Sequence, residues 1–312
     1  MGAFHPGEAA VQARAGAKVE DWGTAHVRAD IPPVAADFLR AQRLVFLGTV
    51  DDGGAAWADV VTGPAGFVDP PDQRTITITG RPALVDEQFT AAAERVSGMI
   101  AIEPWTRKRM RANGRIRRRD ADHLVMHTDQ VYSNCPKYIQ TRTIAPESEG
   151  GPRPAAIRLP GASAGTTFGE LTPAHRDLIT RADTFFITTQ APGLGVDISH
   201  RGGNPGFATV PGPTRVTWPE YAGNSMYMTL GNLELDPRAG LLFIDWQTGL
   251  TLHLTGRAVT DWDPDRAAGI PGAQRLVDFE LDQAVEVADG MPLRWQFGEY
   301  HRFNPPVRSE SN

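Results

Sequence analysis

The chain has 312 residues, a formal net charge of −6, 41% hydrophobic and 22% charged residues, the balance of a soluble globular protein with room for two domains. Net acidity gives no general attraction to nucleic acid, and no apolar run approaches the ~20 residues that cross a bilayer. One cysteine, Cys135, excludes an intrachain disulfide framework and fits a reducing cytoplasm, and the N-terminus has no basic-then-apolar export pattern.

Residues 1–30 have weak periodicity and read as an irregular arm with a short helix over 8–14. A helix over 33–42 follows, with Val34, Phe38 and Leu39 on one face. LVFLGTV (44–50) is a strand, and Asp51-Asp52-Gly53-Gly54 turns it into AWADVVTG. TITIT (75–79) alternates as a strand, EQFTAAAERV (87–96) reads as a helix, and GMIAIEP (98–104) as a strand. TRKRMRANGRIRRR (106–119) has eight cations in fourteen positions. With Met110 and Ile116 set between arginines, it reads as an exposed strand and turn, not as a nucleic-acid patch. HLVMHTDQVYSN (123–134) is a long strand; His123 and His127, on a strand and without a third ligand, do not make a metal site.

Residues 143–168, rich in Pro, Gly, Ala and Ser, form a linker. Beyond it come a helix over 173–182, a strand over 184–190, a glycine turn at 192–195, and a strand carrying Ser199, His200, Arg201, Gly202 and Gly203. RVTW (215–218) is a strand. Asn224 suits an N-cap with SMYMTLGNLEL behind it. Strands over 240–246 and 250–262 precede FELDQAVEVADG and PLRWQFGEY.

The two halves repeat one another. VFLGTVDDGG (45–54) lies over FFITTQAPGL (185–194), and IAIEPWT (100–106) over LFIDWQT (242–248), with a two-residue indel between. The unit is too long for a solenoid repeat and reads as a duplicated domain. The expected fold is mainly β with few helices: two tandem small antiparallel barrels related by an internal pseudo-twofold, spanning 1–142 and 169–312. Arg201-Gly202-Gly203 and the Asn224 turn occur only in the second half, and Cys135-Pro136-Lys137-Tyr138-Ile139-Gln140 only in the first. Two complementary half-motifs suggest one composite site per chain.

With ISHRGGNPGF (198–207), AGN (222–224), LGNLELDPRAGLLFID (230–245) and LTGRAV (254–259) in view, the chain resembles the pyridoxamine 5′-phosphate oxidase-like flavoproteins, the FMN-binding split-barrel group. FHPGEAAVQ (4–12), RMRANGR (109–115) and YSNCPKYIQTR (132–142) resemble a second copy from a long, duplicated subgroup. The resemblance implies paired barrels with FMN in the crevice between them, serving a small-molecule substrate and an electron donor. It implies a cofactor site built from Ser199, His200, Arg201, Gly202, Asn224, Tyr227 and Thr229 of the second half with Lys137, Gln140 and Arg142 of the first. Trp246 and Gln247 follow a strand where the family often presents a side chain to the flavin. Arg201 is expected to make a larger contribution than Lys137; its alternative is an ion pair at a strand edge. Cys135 reads as a small buried hydrophobe, not a nucleophile.

The chain lacks the arginine-and-lysine strand pair with which the namesake oxidase grips the flavin phosphate, and a set for a substrate phosphate. The resemblance therefore implies flavin binding more than pyridoxamine oxidation. Two functions stay open: an FMN-dependent oxidoreductase with no dedicated acid–base pair, or a non-catalytic binding or storage protein for a flavin, the deazaflavin F420 or haem. No nucleic-acid or membrane partner is expected, and homodimerisation of the whole chain is left open.

Overall fold

The computed structural model describes residues 4–17, 27–133, 135–149 and 165–307. The first half supplies helices α1 (Pro6–Arg14) and α2 (Pro33–Arg40) and strands β1 (Leu44–Val50), β2 (Ala56–Thr62), β3 (Val68–Asp69), β4 (Thr75–Thr79), β5 (Arg95–Glu103), β6 (Lys108–Arg118), β7 (His123–Ser133) and β8 (Arg142–Ile144). After the short helix α3 (Pro146–Glu149) come β9 (Thr166–Phe168), α4 (Pro173–Arg181), β10 (Thr184–Ala191), β11 (Gly195–Gly202), β12 (Arg215–Tyr221), α5 (Met228–Leu235), β13 (Arg238–Ile244), β14 (Thr251–Asp261), α6 (Pro264–Ala268), β15 (Ala273–Val287) and β16 (Trp295–Phe297).

The fold is mainly β. One sheet runs β2-β1-β5-β6-β7-β4-β3 and the other β11-β10-β13-β14-β15-β12, so corresponding strands hold corresponding places; neither sheet closes on itself. The registers match as well. Phe46 faces Val60 across β1–β2, and Phe186 faces His200 across β10–β11. Arg111 faces Tyr132 across β6–β7, and His253 faces Val285 across β14–β15.

Each sheet ends in a strand, β2 or β11, whose open edge would be an aggregation hazard in isolation. Here β2 packs on β10, β13 and β14, and β11 packs on β1, β5 and β6. Close approach rests on two glycines in corresponding positions. A Cβ on Gly98 would come within 2.9 Å of Ile198 N, and one on Gly240 within 2.4 Å of Ala56 O. Phe46 and Phe186 stack with ring centroids 3.5 Å apart. They sit within an apolar cluster that also holds Leu44, Ile100, Ile198, Leu242 and Trp295, and so belongs to both halves.

Several sequence expectations are corrected. Residues 87–96 are not a helix: a 3-10 turn at Asp86–Gln88 leads into irregular chain before β5. Val85 and Phe89 are drawn into the core while residues 91–94 are exposed, so a helix there would have no apolar face to bury, and alone it would be marginal. The arginine-rich strand β6 is not exposed, since residues 110–114 are buried. The ends of the stretch read as linker carry strands: β8 pairs with β16, and β9 with β15. The rest of that stretch, 150–164, lies outside the described residues, as does part of the N-terminal arm.

Candidate functional site

Alternation along β6 aims Met110 and Ala112 into the first half's core, and so turns Arg109, Arg111 and Asn113 to the opposite face. That face meets β11 of the second half, and between them opens a crevice. The first half contributes Arg109, Arg111, Cys135, Lys137 and Tyr138; the second contributes β11, Glu220 and Tyr221, the loop 223–227 and the first turn of α5.

The floor is a polar cluster centred on the Asp197 carboxylate, in which Arg111 Nε has no hydrogen-bond partner. Arg111 Nη1 donates to its Oδ2 at 2.9 Å, Tyr132 OH to Oδ1 at 2.8 Å and Ser199 Oγ to Oδ2 at 3.1 Å. Ser199 Oγ and Thr229 Oγ1 share a bond of 2.7 Å. Burial works against the Arg111 charge, yet Asp197 and Tyr132 hold its pKa above the ordinary value. Burial first, and Asp197 second, lift the Tyr132 phenol well above its usual range.

The wall is different. Arg109 Nη1 donates to His200 Nδ1 at 3.0 Å, its Nε is enclosed without a hydrogen-bond partner, and no carboxylate pairs with it among the described residues. Burial, then Arg111 and Arg201, pull its pKa down to about 9. His200 is buried, and burial followed by Arg109 and Arg201 pushes its pKa well below 6.5. It is therefore neutral at pH 7, and because Nδ1 accepts from Arg109, Nε2 carries the proton. Arg201 lines the crevice, but its Nε donates to Glu220 Oε1 at 2.5 Å, so its charge is matched.

Three side chains that shape the crevice have left-handed backbones: Tyr138 (φ 67°), Ser225 (φ 57°) and Tyr227 (φ 56°). Such conformations cost about 1–3 kcal/mol each in residues other than glycine and collect at ligand sites. Tyr138 OH donates to Ala222 O at 2.9 Å, fastening the first half's segment to the loop ahead of α5. Gly202 makes this possible, since a Cβ there would lie 2.1 Å from Tyr138 O.

Of the residues expected from sequence, Lys137, Ser199, His200, Arg201, Gly202, Asn224, Tyr227 and Thr229 line the crevice. Asn224 is not a helix cap: its Oδ1 accepts from Met226 N, and α5 starts at Met228 with Tyr227 as its cap residue. Gln140, Arg142, Trp246 and Gln247 lie elsewhere. Gln140 Nε2 donates to Asp183 O and Gly203 O while its Oε1 accepts from His301 N, so it ties three segments together. Arg142 grips Asp183 through both carboxylate oxygens and lies 4.6 Å from the Trp246 ring. Gln247 belongs to a turn, its N–H on Asp245. Sequence reasoning missed Arg109, Arg111, Asp197, Tyr132 and Glu220. The period-two spacing of 109, 111 and 113 was the available signal for the first two.

The corresponding crevice on the other side is filled. Asp59, which takes the place of Ser199, accepts from Leu84 N and Val85 N at 2.5 and 2.9 Å, drawing that loop inward. Trp57, Val85, Val285 and Val287 share one apolar cluster there.

No protein-family model matches the chain, and no curated protein does. Solved structures do match, each over less than half of the chain. The chain is similar to a putative pyridoxamine 5′-phosphate oxidase from Lactobacillus delbrueckii at 16% identity, over 38% of this chain and 94% of that one, with TM-score 0.32. HupZ of Group A Streptococcus matches at 14% identity, over 38% and 95%, with TM-score 0.32. An FAD-binding protein from Mesorhizobium loti matches at 11% identity, over 39% and 99%, with TM-score 0.28.

Proposed function

We propose that the crevice holds a flavin by its phosphate and that the protein is a flavin-dependent oxidoreductase, with FMN as the cofactor. The observation that carries this reading is Arg109, a guanidinium with an enclosed, unpartnered Nε and no carboxylate partner among the described residues. A cation so placed is costly unless an anion completes it, and a phosphate accepts from a guanidinium in two-point fashion. Lys137 lies on the same crevice as a second cation. Tyr138 and Tyr221, with ring centroids 5.3 Å apart, offer an aromatic wall for a planar ring. The residues present therefore suit a phosphorylated aromatic cofactor.

When bound, the isoalloxazine supplies hydride and electron transfer. The protein's own part is to orient and enclose it. His200, neutral with its proton on Nε2, is a donor at physiological pH. Ser199 gives its one proton to Asp197 and accepts from Thr229, so the hydroxyl pair is oriented by the floor and adds no charge of its own. Arg111 is held by Asp197 and keeps the floor rigid.

The test is a titration of the full-length protein with FMN and with riboflavin, which lacks the phosphate, followed by ring absorbance or fluorescence. FMN is expected to bind at least about tenfold more tightly, the worth of one charge-assisted contact, and Arg109→Ala to remove the difference. Equal affinities, or binding of neither, would overturn the reading. Mass spectrometry of the ligand released from native protein identifies FMN against F420 or haem.

A further inference from the structure

One side chain bridges the mouth of the crevice. Tyr138 belongs to the first half, yet its hydroxyl donates to Ala222 O of the second half at 2.9 Å. Ala222 sits between Tyr221 and Gly223, both on the crevice wall. The Tyr138 ring lies 5.3 Å from the Tyr221 ring and 6.3 Å from that of His301, centroid to centroid. Tyr138 is half-buried, and residues 222 and 223 beside its hydroxyl are exposed.

The backbone beneath this ring is held more firmly. Tyr138 O accepts from Gln140 Nε2 at 3.0 Å and rests on β11, where a Cβ on Gly202 would lie 2.1 Å from it. Gln140 is tied in turn to Asp183 O, Gly203 O and His301 N, and Ile139 and Gln140 are both buried. The carbonyl end of Tyr138 is therefore fixed. Its ring end is kept by one neutral hydrogen bond to an exposed carbonyl, which water can replace at small cost. Left-handed backbones lie on both sides of the bridge, at Tyr138 and at Ser225 and Tyr227, and strain of that kind collects at clamps and switch segments.

We infer that the Tyr138 ring is a gate, hinged on its own anchored backbone and latched to Ala222 across the crevice mouth. Closed, it sets an aromatic wall over a bound ligand; open, it uncovers the passage between the halves. A gate acts on rates, slowing entry and exit alike, and leaves affinity to the contacts of the closed state. The inference rests on the flavin reading for the identity of the ligand that passes, and on the placement of Tyr138 for the gate itself.

Stopped-flow mixing of the full-length protein with FMN tests it, with Tyr138→Phe, which keeps the ring and removes the latch. Association and dissociation rates should both rise about threefold to tenfold, the worth of one neutral hydrogen bond. The dissociation constant should stay within about threefold of wild type. Tyr138→Ala, which also removes the ring, should keep the fast association and dissociate faster still. If Tyr138 is only a wall, Tyr138→Phe behaves as wild type and Tyr138→Ala changes dissociation alone; that result overturns the gate. A ligand-free measurement separates the gate from the flavin reading. Cys135, the one cysteine of the chain, is half-buried and lines the crevice, so its alkylation by iodoacetamide should quicken in Tyr138→Phe by a similar factor. If FMN does not bind and alkylation quickens, the flavin reading fails and the gate stands. If FMN does not bind and alkylation is unchanged, both fail. If FMN binds with the same rates in Tyr138→Phe as in wild type, the gate fails and the flavin reading stands.

Discussion

Arg109 and Arg201 lie on the same crevice and differ in what they already hold. Glu220 takes the Arg201 Nε, so removing Arg201 also strips a carboxylate of its partner, whereas Arg109 has only a histidine nitrogen. The order of importance expected from sequence therefore changes: Arg109→Ala should weaken FMN by about 1.5–3 kcal/mol, and Arg201→Ala by less, in the same fluorescence titration. Arg109→Lys should recover only part, a point charge being a poor copy of a planar fork. His200 supplies a pH signature. Its folded pKa lies well below the ordinary 6.5, so as pH falls below about 6.5 the unfolded chain takes up a proton that the folded chain refuses, and stability is lost in that direction. In thermal unfolding, His200→Gln should gain stability relative to wild type as pH falls from 7 to 5, because it removes this one contribution. Arg201 could be singled out from sequence because two glycines follow it. Arg109 was hidden among eight cations; period-two spacing marks its face of β6, and the other half's surface decides what that face meets.

At the scale of elements, the N-terminal helix carries the most informative packing. Helix α1 crosses α5 where Gly7 meets Gly231; a Cβ on Gly231 would lie 2.6 Å from Glu8 N. His5 Nε2 bonds Asn232 Oδ1 at 2.9 Å, and Gln12 Nε2 donates to Met226 O at 3.2 Å, so α1 braces the loop that borders the crevice. Glu8 is 3% exposed, and burial lifts its pKa from 4.5 to about 7. Between these values the folded chain keeps a proton that the unfolded chain releases. Stability therefore falls as pH rises from about 4.5 to about 7 and is level above, a total on the order of 3 kcal/mol. Glu8→Gln, which mimics the protonated acid, should raise the melting temperature at pH 8 and remove this slope. An unchanged slope in that variant would show that Glu8 does not carry it. Gly231→Ala should cost about 1–3 kcal/mol by forcing the helices apart and should weaken FMN through the loop. The helix near residue 8 was legible from its pattern. The false helix over 87–96 was not avoidable by propensity, because Val85 and Phe89 are claimed by tertiary burial.

Over the whole molecule, the two halves share a core, and neither covers its own edge strand. Phe46→Ala removes one ring of the stacked pair with Phe186 and should cost about 3–5 kcal/mol. Because the cluster belongs to both halves, calorimetry should show one cooperative transition before and after the change; two separated transitions would mean independent halves. The succession of strands along the chain was legible because hydrophobic alternation and turn glycines recur in both halves. That β6 lies between sheets instead of facing water was not, since alternation marks two faces without saying what covers the second.

The filled counterpart of the crevice has a consequence for measurement. An arrangement of two like sheets about a twofold offers two equivalent clefts, and Asp59, Leu84 and Trp57 have closed one of them. Saturation should therefore come at one equivalent of flavin per chain, with a single-site isotherm and no cooperativity. Changes at Arg109 or Arg201 act once, without a mirrored copy.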